Sequence, residues 1–156
     1  MNPSMSTPEE RLADLGLSVP KVAKPVAAYV PALRSGNYVY TSGQLPMRDG
    51  ELMMTGKVGG EVSQDEAVEC ARQCALNGLA AVRAELGDLS KVKQIVKVVV
   101  FVASTPDFTG QPLVANGVSE LFGEVFGEAG RHARSAVGVT VLPLDSPVEV
   151  ELVVEA

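Results

Sequence analysis

Residues 98–102 read VVVFV, and each of them is apolar and either β-branched or aromatic. Such side chains favour β-strands, and a run without polar alternation is typical of a central strand covered on both faces. The longer segment 91–104, KVKQIVKVVVFVAS, is therefore predicted to be a central strand. This strand constrains the whole chain, because it requires neighbouring strands on both sides and cover above and below.

Two segments with helical periodicity lie on either side of this strand in the sequence. The first begins with a capping box formed by Ser63 and Glu66, and it ends near Gly87, a typical C-terminal cap. The second is predicted over roughly residues 113–126, where apolar residues recur with helical spacing. The chain thus has two helices available to cover a sheet.

Further strands are predicted before and after these helices. A proline-rich, extended segment at residues 19–33 leads into a strand in residues 37–45, NYVYTSGQL. Residues 44–62 are predicted to form a long loop, and residues 131–152 contain two strands joined by a proline-bearing turn. The order β-β-α-β-α-β-β predicts an α+β fold, with a mixed β-sheet and two helices packed on one face.

A short helix is also predicted near the N-terminus. Thr7 is a suitable N-cap, Pro8 fits the first helical position, and Glu10 completes a capping box. We expect an N-terminal extension with this helix at residues 1–24, followed by a single domain at residues 25–156.

Two helices can cover only one face of the predicted sheet. The strand segments 96–102 and 148–154 are nevertheless apolar enough to require cover on both faces. Oligomerisation is the economical way to supply the missing cover, so we expect a homo-oligomer.

The charge balance disfavours several classes of partner. The chain has 13 Lys and Arg against 19 Asp and Glu, a formal net charge of −6. Such a protein repels phosphate backbones and anionic membrane surfaces, so no nucleic-acid or membrane partner is expected. With no apolar run of membrane-spanning length and no signal-peptide pattern, we expect a cytoplasmic protein.

Soft metal ligands are scarce. The chain has one His and two Cys, and Cys70 and Cys74 lie four residues apart on one face of the first long helix. They are predicted to be small buried hydrophobic residues, with half of a metal site or a redox pair as the alternative. No metal site is expected.

Arg134 stands out in the apolar segment that follows the second helix. Strand alternation places it on the same face as Ala136 and Gly138, whose small side chains would leave a hollow floored by backbone. A guanidinium at the edge of such a hollow suits a small carboxylate ligand. The alternative is a solvated arginine or one that makes an interface salt bridge.

Four motifs together resemble one family. They are YVYTSGQLP (38–46), KVVVFVASTPDF (97–108), Asn116 ahead of ELF, and ARSAVGVTVLPLDSPVEVEL (133–152). This combination resembles the RidA/YjgF family of small proteins with a chorismate-mutase-like fold and a trimeric, barrel-like assembly. The segment before residue 20 and the link at residues 109–117 are longer than in typical members, which indicates a divergent subgroup.

The resemblance implies an activity and a set of site residues. RidA-type members hydrolyse reactive 2-imino acids and enamines to 2-keto acids and ammonia, without a cofactor or metal, as homotrimers. By resemblance, Arg134 would bind the substrate carboxylate and Glu149 would position the attacking water. The remaining residues implied to line the pocket are Tyr29, Ser42, Gly43, Asn116 and Ala136, the last at a place often held by cysteine.

Strand geometry suggests that this site is shared between subunits. If the turn after Val141 makes a simple hairpin, Glu149 lies opposite Thr140, on the same sheet face as Arg134. Six residues at ~3.3 Å each would separate them by about 20 Å, too far for one small substrate. We therefore expect Arg134 from one chain to act with Glu149 from its neighbour.

Three functions remain open from the sequence. The first is an imine/enamine deaminase, and the second is a non-catalytic protein that binds or senses small carboxylates such as keto acids. The third is the RNA-cleaving activity attached to some relatives, which the net charge of −6 disfavours. His132 is a further candidate base, but its place two residues before Arg134 favours a side chain that points into a loop.

Overall fold

The computed structural model describes residues 6–22 and 28–156. Within them the sheet is mixed, and the predicted α+β order of strands and long helices is confirmed. In chain order the elements are α1 (Pro8–Asp14), β1 (Ala32–Ser35), β2 (Tyr38–Thr41), β3 (Met47–Arg48), β4 (Glu51–Leu52), α2 (Gln64–Leu86), β5 (Gln94–Ala103), α3 (Gln111–Phe126), β6 (Ala133–Val139) and β7 (Val148–Glu155). The predicted loop at 44–62 contains the small hairpin β3–β4.

The main sheet has five strands in the order β1-β2-β7-β5-β6. Strand β5 pairs in parallel with β6 and antiparallel with β7, while β1, β2 and β7 are antiparallel neighbours. The apolar run of β5 therefore lies between two hydrogen-bonded strands, as its composition predicts.

Helices α2 and α3 cover one face of this sheet. On β5, Val98, Val100 and Val102 are fully buried beneath them, and β7 alternates between buried and half-buried residues along its whole length. We call the opposite side, which carries Leu33, Tyr40, Val99, Phe101 and Glu149, the open face. Leu33 is 60% exposed and Tyr40 47% exposed, so within one chain this face of the sheet is only partly covered.

The connection between β6 and β7 corrects the hairpin expectation. The two strands are not paired, because β5 lies between them. The linker, residues 140–147, contains Pro143 and Pro147 and includes a short 3-10 turn at Pro143–Asp145. A hairpin would have left one edge of β5 without a partner, whereas the crossing linker lets both of its edges form hydrogen bonds.

The predicted ends of α2 are confirmed. The Ser63 side chain accepts from the Glu66 amide while the Glu66 carboxylate accepts from the Ser63 amide, and α2 ends at Gly87. Cys70 and Cys74 are free thiols buried under this helix, and burial raises the pKa of Cys70 to about 11. They are small core residues, as predicted.

The N-terminal helix α1 packs into the same core. Thr7 caps it through the Glu10 amide, Leu12 is fully buried, and the Glu9 carboxylate accepts from the Leu89 amide at 3.1 Å. The expected boundary between residues 24 and 25 lies outside the described residues.

In residues 6–22 and 28–156, no helix has both the length and the hydropathy needed to cross a membrane.

Two glycines of α3 provide a matched test of the packing between α2 and α3. A Cβ on Gly117 would lie 2.5 Å from the Val68 carbonyl oxygen of α2, whereas a Cβ on Gly123 would meet nothing within 4 Å. We expect Gly117→Ala to lower the free energy of unfolding by about 2 kcal/mol. Gly123→Ala should raise it by ~0.5–1 kcal/mol, because alanine is the better helix former.

Urea unfolding of both variants at one fixed protein concentration measures the difference. Equal effects of the two substitutions would show that α2 and α3 do not approach each other as described.

Candidate functional site

Arg134 lies near the start of β6 and points toward α3. Its Nη1 donates to Asn116 Oδ1 at 2.8 Å and to Ser119 Oγ at 3.1 Å, and its Nη2 donates to the Pro112 carbonyl at 3.4 Å. All three acceptors are neutral, and among the described residues no carboxylate lies within 4.0 Å of this guanidinium. The cation is thus held in place without being neutralised.

One edge of this guanidinium remains available. Both Nη1 hydrogens are used by α3, while in the described part of the chain nothing accepts from Nε and only one acceptor engages Nη2. The Nε–Nη2 edge carries two parallel N–H groups, the arrangement that binds a carboxylate with two hydrogen bonds. Arg134 is half-buried, so a small anion has access to it.

The hollow expected beside Arg134 is smaller than the sequence suggested. Ala136 lies on the same face and is half-buried, but a Cβ on Gly138 would lie 2.8 Å from Gln111 Nε2 and 3.4 Å from Ser104 Oγ. Gln111 of α3 and Ser104 after β5 thus lie close to Gly138, which stays exposed and lines a second cavity of about 390 Å³.

Ser119 was missed by the sequence reasoning, although a signal for it exists. It lies three residues after Asn116 on α3, and residues with this spacing share a helix face. A polar pair at this spacing, ahead of a strand that carries an arginine, could have identified it. Its hydroxyl also lies 2.9 Å from His132 Nε2, so the candidate base His132 is engaged with Ser119.

A second group of expected site residues gathers beside β7. Ser42 donates its hydroxyl to the Val30 carbonyl at 2.6 Å, and Gln44 exchanges backbone hydrogen bonds with Val150 at 2.8 and 3.0 Å. These contacts press Gly43 against β7. A Cβ on Gly43 would lie 2.7 Å from Glu149 Cδ, so glycine is what lets the backbone approach this carboxyl group.

Tyr29 and Gly43 line a cavity of about 790 Å³. Tyr29 itself is 48% exposed. The rest of the wall comes from the N-terminal segment, the residues before β1 and after β2, the β3–β4 hairpin, α2 and the β6–β7 linker: Ser18, Pro20, Lys21, Val22, Pro31, Gln44, Leu45, Met47, Arg48, Asp49, Gly50, Gln73, Asn77 and Leu144. The cavity has the size of a small-molecule site.

The two groups do not meet within one protomer. Arg134 is in register with Val98 of β5, and Glu149 with Phe101, so they are three residues apart along the sheet and two strands apart across it. Strand spacings place their Cα atoms roughly 14 Å apart. The side chains also point to opposite faces, because residues in register share a face and Val98 and Phe101 alternate.

The expectation that Arg134 and Glu149 share a sheet face is therefore wrong. It followed from the hairpin, which would have placed Glu149 opposite Thr140. In the structure β5 lies between β6 and β7, so Arg134 is in register with Val98 and Glu149 with Phe101. Because Val98 and Phe101 are three residues apart, they point to opposite faces of the sheet, and so do Arg134 and Glu149.

Glu149 lies in a setting that favours its neutral form. Burial raises the pKa of the Glu149 carboxyl above its ordinary value of 4.5, and the Glu151 carboxylate on the same face raises this pKa further. A carboxyl group of this kind can hold or pass a proton closer to neutral pH than an exposed one can.

The described residues offer no metal site. No three His, Cys, Asp or Glu side chains within them are grouped so that they could hold an ion.

The raised pKa of Glu149 has a consequence for stability. The folded protein binds this proton more tightly than the unfolded chain does, so stability falls as the pH rises from 4.5 through the raised pKa. Glu149→Gln removes this loss. We expect the variant to gain thermal stability relative to the wild type at neutral pH, and the gain to shrink below pH 4.5.

Thermal unfolding across the acid range, at one protein concentration, measures this gain. Glu155→Gln, the same change on the same strand and face, is the control. A gain that does not depend on pH would contradict the burial of the Glu149 carboxyl.

Comparisons with known proteins agree with the fold. The family described as "YjgF/chorismate mutase-like, putative endoribonuclease" matches residues 9–156. The chain is 48% identical to Protein TCP17 of Trypanosoma cruzi, over 92% of this chain and 91% of that protein. It is 35% identical to a 2-iminobutanoate/2-iminopropanoate deaminase of Dermatophagoides farinae, over 88% of this chain and 93% of the relative.

A solved structure is similar over the whole chain. The crystal structure of a putative endoribonuclease from Shewanella oneidensis superposes with a TM-score of 0.94 at 35% identity, covering 97% of this chain and 100% of that one. The family match, the relatives and the shared fold lead to one conclusion: the chain belongs to the YjgF/chorismate-mutase-like family, the RidA/YjgF family that its motifs resemble.

Proposed function

We propose that this protein hydrolyses reactive 2-imino acids and enamines to 2-keto acids and ammonia. Arg134 binds the substrate carboxylate, and Glu149 of a neighbouring subunit positions the attacking water. One observation carries the proposal: Arg134 is fixed by Asn116 and Ser119 without a counter-ion in the described residues, where its Nε has no acceptor and its Nη2 has only one. The deaminase relative at 35% identity supports the choice of reaction.

The chemistry requires little beyond positioning. A protonated imine is electrophilic, so water adds to its carbon, and the resulting carbinolamine expels ammonia and becomes a ketone. Two hydrogen bonds from Arg134 to the carboxylate fix the imine carbon in space. A carboxyl group with a raised pKa, such as Glu149, can orient the water and take up its proton.

The separation of the two groups supports a composite site. Within one protomer, Glu149 lies beside Gly43 on the open face, while Arg134 faces α3 from the edge strand β6. The open face carries exposed apolar residues, and these include Val137 on the edge strand β6, which is 43% exposed, so this face needs a partner surface that reaches the β6 edge. A second copy of the chain supplies one, and we propose the homotrimer found in this family.

The location proposed for this activity is the cytoplasm. Cys70 and Cys74 are both free thiols, as is usual in a reducing compartment.

Removal of the Arg134 guanidinium should strongly weaken carboxylate binding. The assay generates imines in situ with an amino-acid oxidase and follows keto acid release as the semicarbazone. We expect Arg134→Ala to lower kcat/KM about a hundredfold. Arg134→Lys should recover only part of this, because an ammonium group cannot make the two-bond contact. Arg131→Ala is the control, since Arg131 is 79% exposed and pairs with Glu128.

The same assay separates the enzyme from a carboxylate sensor. If the wild type only matches the spontaneous rate over several imines, while keto acids bind it and do not bind Arg134→Ala, the deaminase proposal is wrong. The protein is then a small-carboxylate sensor that uses the same arginine.

Mixed oligomers test whether the site is shared. Arg134→Ala and Glu149→Gln should each be inactive alone, but co-assembly gives some interfaces one intact Arg134 and one intact Glu149. Random mixing in equal amounts should restore about a quarter of wild-type activity in a cyclic trimer with heterologous interfaces. Sites contained within single subunits would stay inactive in every mixture.

A further inference from the structure

A chain of hydrogen bonds leads away from Arg134 to the backbone. Arg134 Nη1 lies 3.1 Å from Ser119 Oγ, Ser119 Oγ lies 2.9 Å from His132 Nε2, and His132 Nδ1 lies 2.6 Å from the Gly130 carbonyl oxygen. The His132 ring also packs edge-on against Phe122, with ring centroids 6.1 Å apart. These contacts connect the proposed carboxylate anchor to α3 and to the turn before β6.

The Gly130 carbonyl oxygen determines which partner donates in each hydrogen bond of this chain. A carbonyl oxygen can only accept, so His132 Nδ1 must carry the hydrogen that it donates to Gly130. In the neutral ring Nε2 then holds a lone pair, and the Ser119 hydroxyl donates to it. The lone pairs of Ser119 Oγ are therefore turned toward Arg134, which donates to them.

Packing against α3 holds the Gly130 carbonyl in place. A Cβ on Gly130 would collide with the backbone carbonyl of Phe122, so the turn that contains Gly130 lies directly against α3. This backbone contact positions the Gly130 carbonyl. The hydrogen bond from Nδ1 to that carbonyl then orients the ring of His132.

We propose that Ser119 and His132 are positioning residues for Arg134, and that His132 acts as the Nδ1–H tautomer. The Ser119 hydroxyl, oriented by His132, holds Nη1 on α3 and leaves the Nε–Nη2 edge presented to the carboxylate. This inference rests on the proposed role of Arg134 as the anchor. It assigns to His132 an orienting role instead of that of a general base.

The tautomer can be measured directly, because the chain has only one histidine. Two-bond ¹H–¹⁵N correlation spectra of the ¹⁵N-labelled protein, recorded without ligand, should show a protonated Nδ1 and an unprotonated Nε2. Ser119→Ala should shift the Nε2 resonance, since its hydrogen-bond donor is lost. An Nε2–H ring, or fast exchange between the two tautomers, would overturn the proposal.

Matched variants test the effect on Arg134. We expect Ser119→Ala to raise KM for the imine, or the Kd for pyruvate, by about fivefold to tenfold with kcat changed less than about twofold. Ser119→Thr keeps the hydroxyl and should restore binding. His132→Gln offers an acceptor near the position of Nε2 and should bind better than His132→Phe, which keeps only the packing on Phe122.

The outcomes separate this inference from the proposed function. Ser90→Ala, a hydroxyl removed on the short turn after α2, should leave both KM and Kd unchanged. If Ser119→Ala binds pyruvate as tightly as the wild type, or if it lowers kcat alone, Ser119 does not position the anchor. If Arg134→Ala itself leaves pyruvate binding unchanged, the proposed function fails, whereas the tautomer of His132 is decided without reference to it.

Discussion

The pairing of β5 with a strand on each of its edges is the constraint on which the rest of the structure depends. Its parallel partner β6 carries Arg134, and its antiparallel partner β7 carries Glu149. The registers with Val98 and Phe101 then determine both the distance between these two side chains and the sheet face from which each projects. No change in a loop could bring the two side chains together within one chain without breaking one of these ladders.

Helix α3 is the second scaffold of the site. Gly117 lets the helix backbone approach Val68 of α2, and this close contact sets the distance between the two helices. On the neighbouring turns of the same helix, Asn116 and Ser119 face β6 and meet Arg134. Helix α3 therefore both packs in the core and orients the proposed anchor. Because α3 is held by this packing, its hydrogen bonds to the guanidinium have a rigid base.

The open face connects assembly with chemistry. It carries exposed apolar residues together with Glu149, whose pKa is raised by burial and by Glu151. The same surface that requires cover therefore holds the carboxyl group proposed to act on water. Covering it with a second copy of the chain would exclude bulk water around Glu149 and bring in a guanidinium that the chain cannot bring there alone, which is the physical sense of a shared site.

Much of this could be read from the sequence, because the patterns concerned are local. The run at 98–102 identified a strand with two neighbours, Ser63 and Glu66 identified the start of α2, and small residues around Arg134 marked it as unusual. Pairing across the sheet is not local: the order of β6, β5 and β7 depends on which strand edges are satisfied together. Only the tertiary structure therefore decided that Glu149 faces away from Arg134, that Gln111 lies close to Gly138, and that Ser119 links Arg134 to His132 by hydrogen bonds.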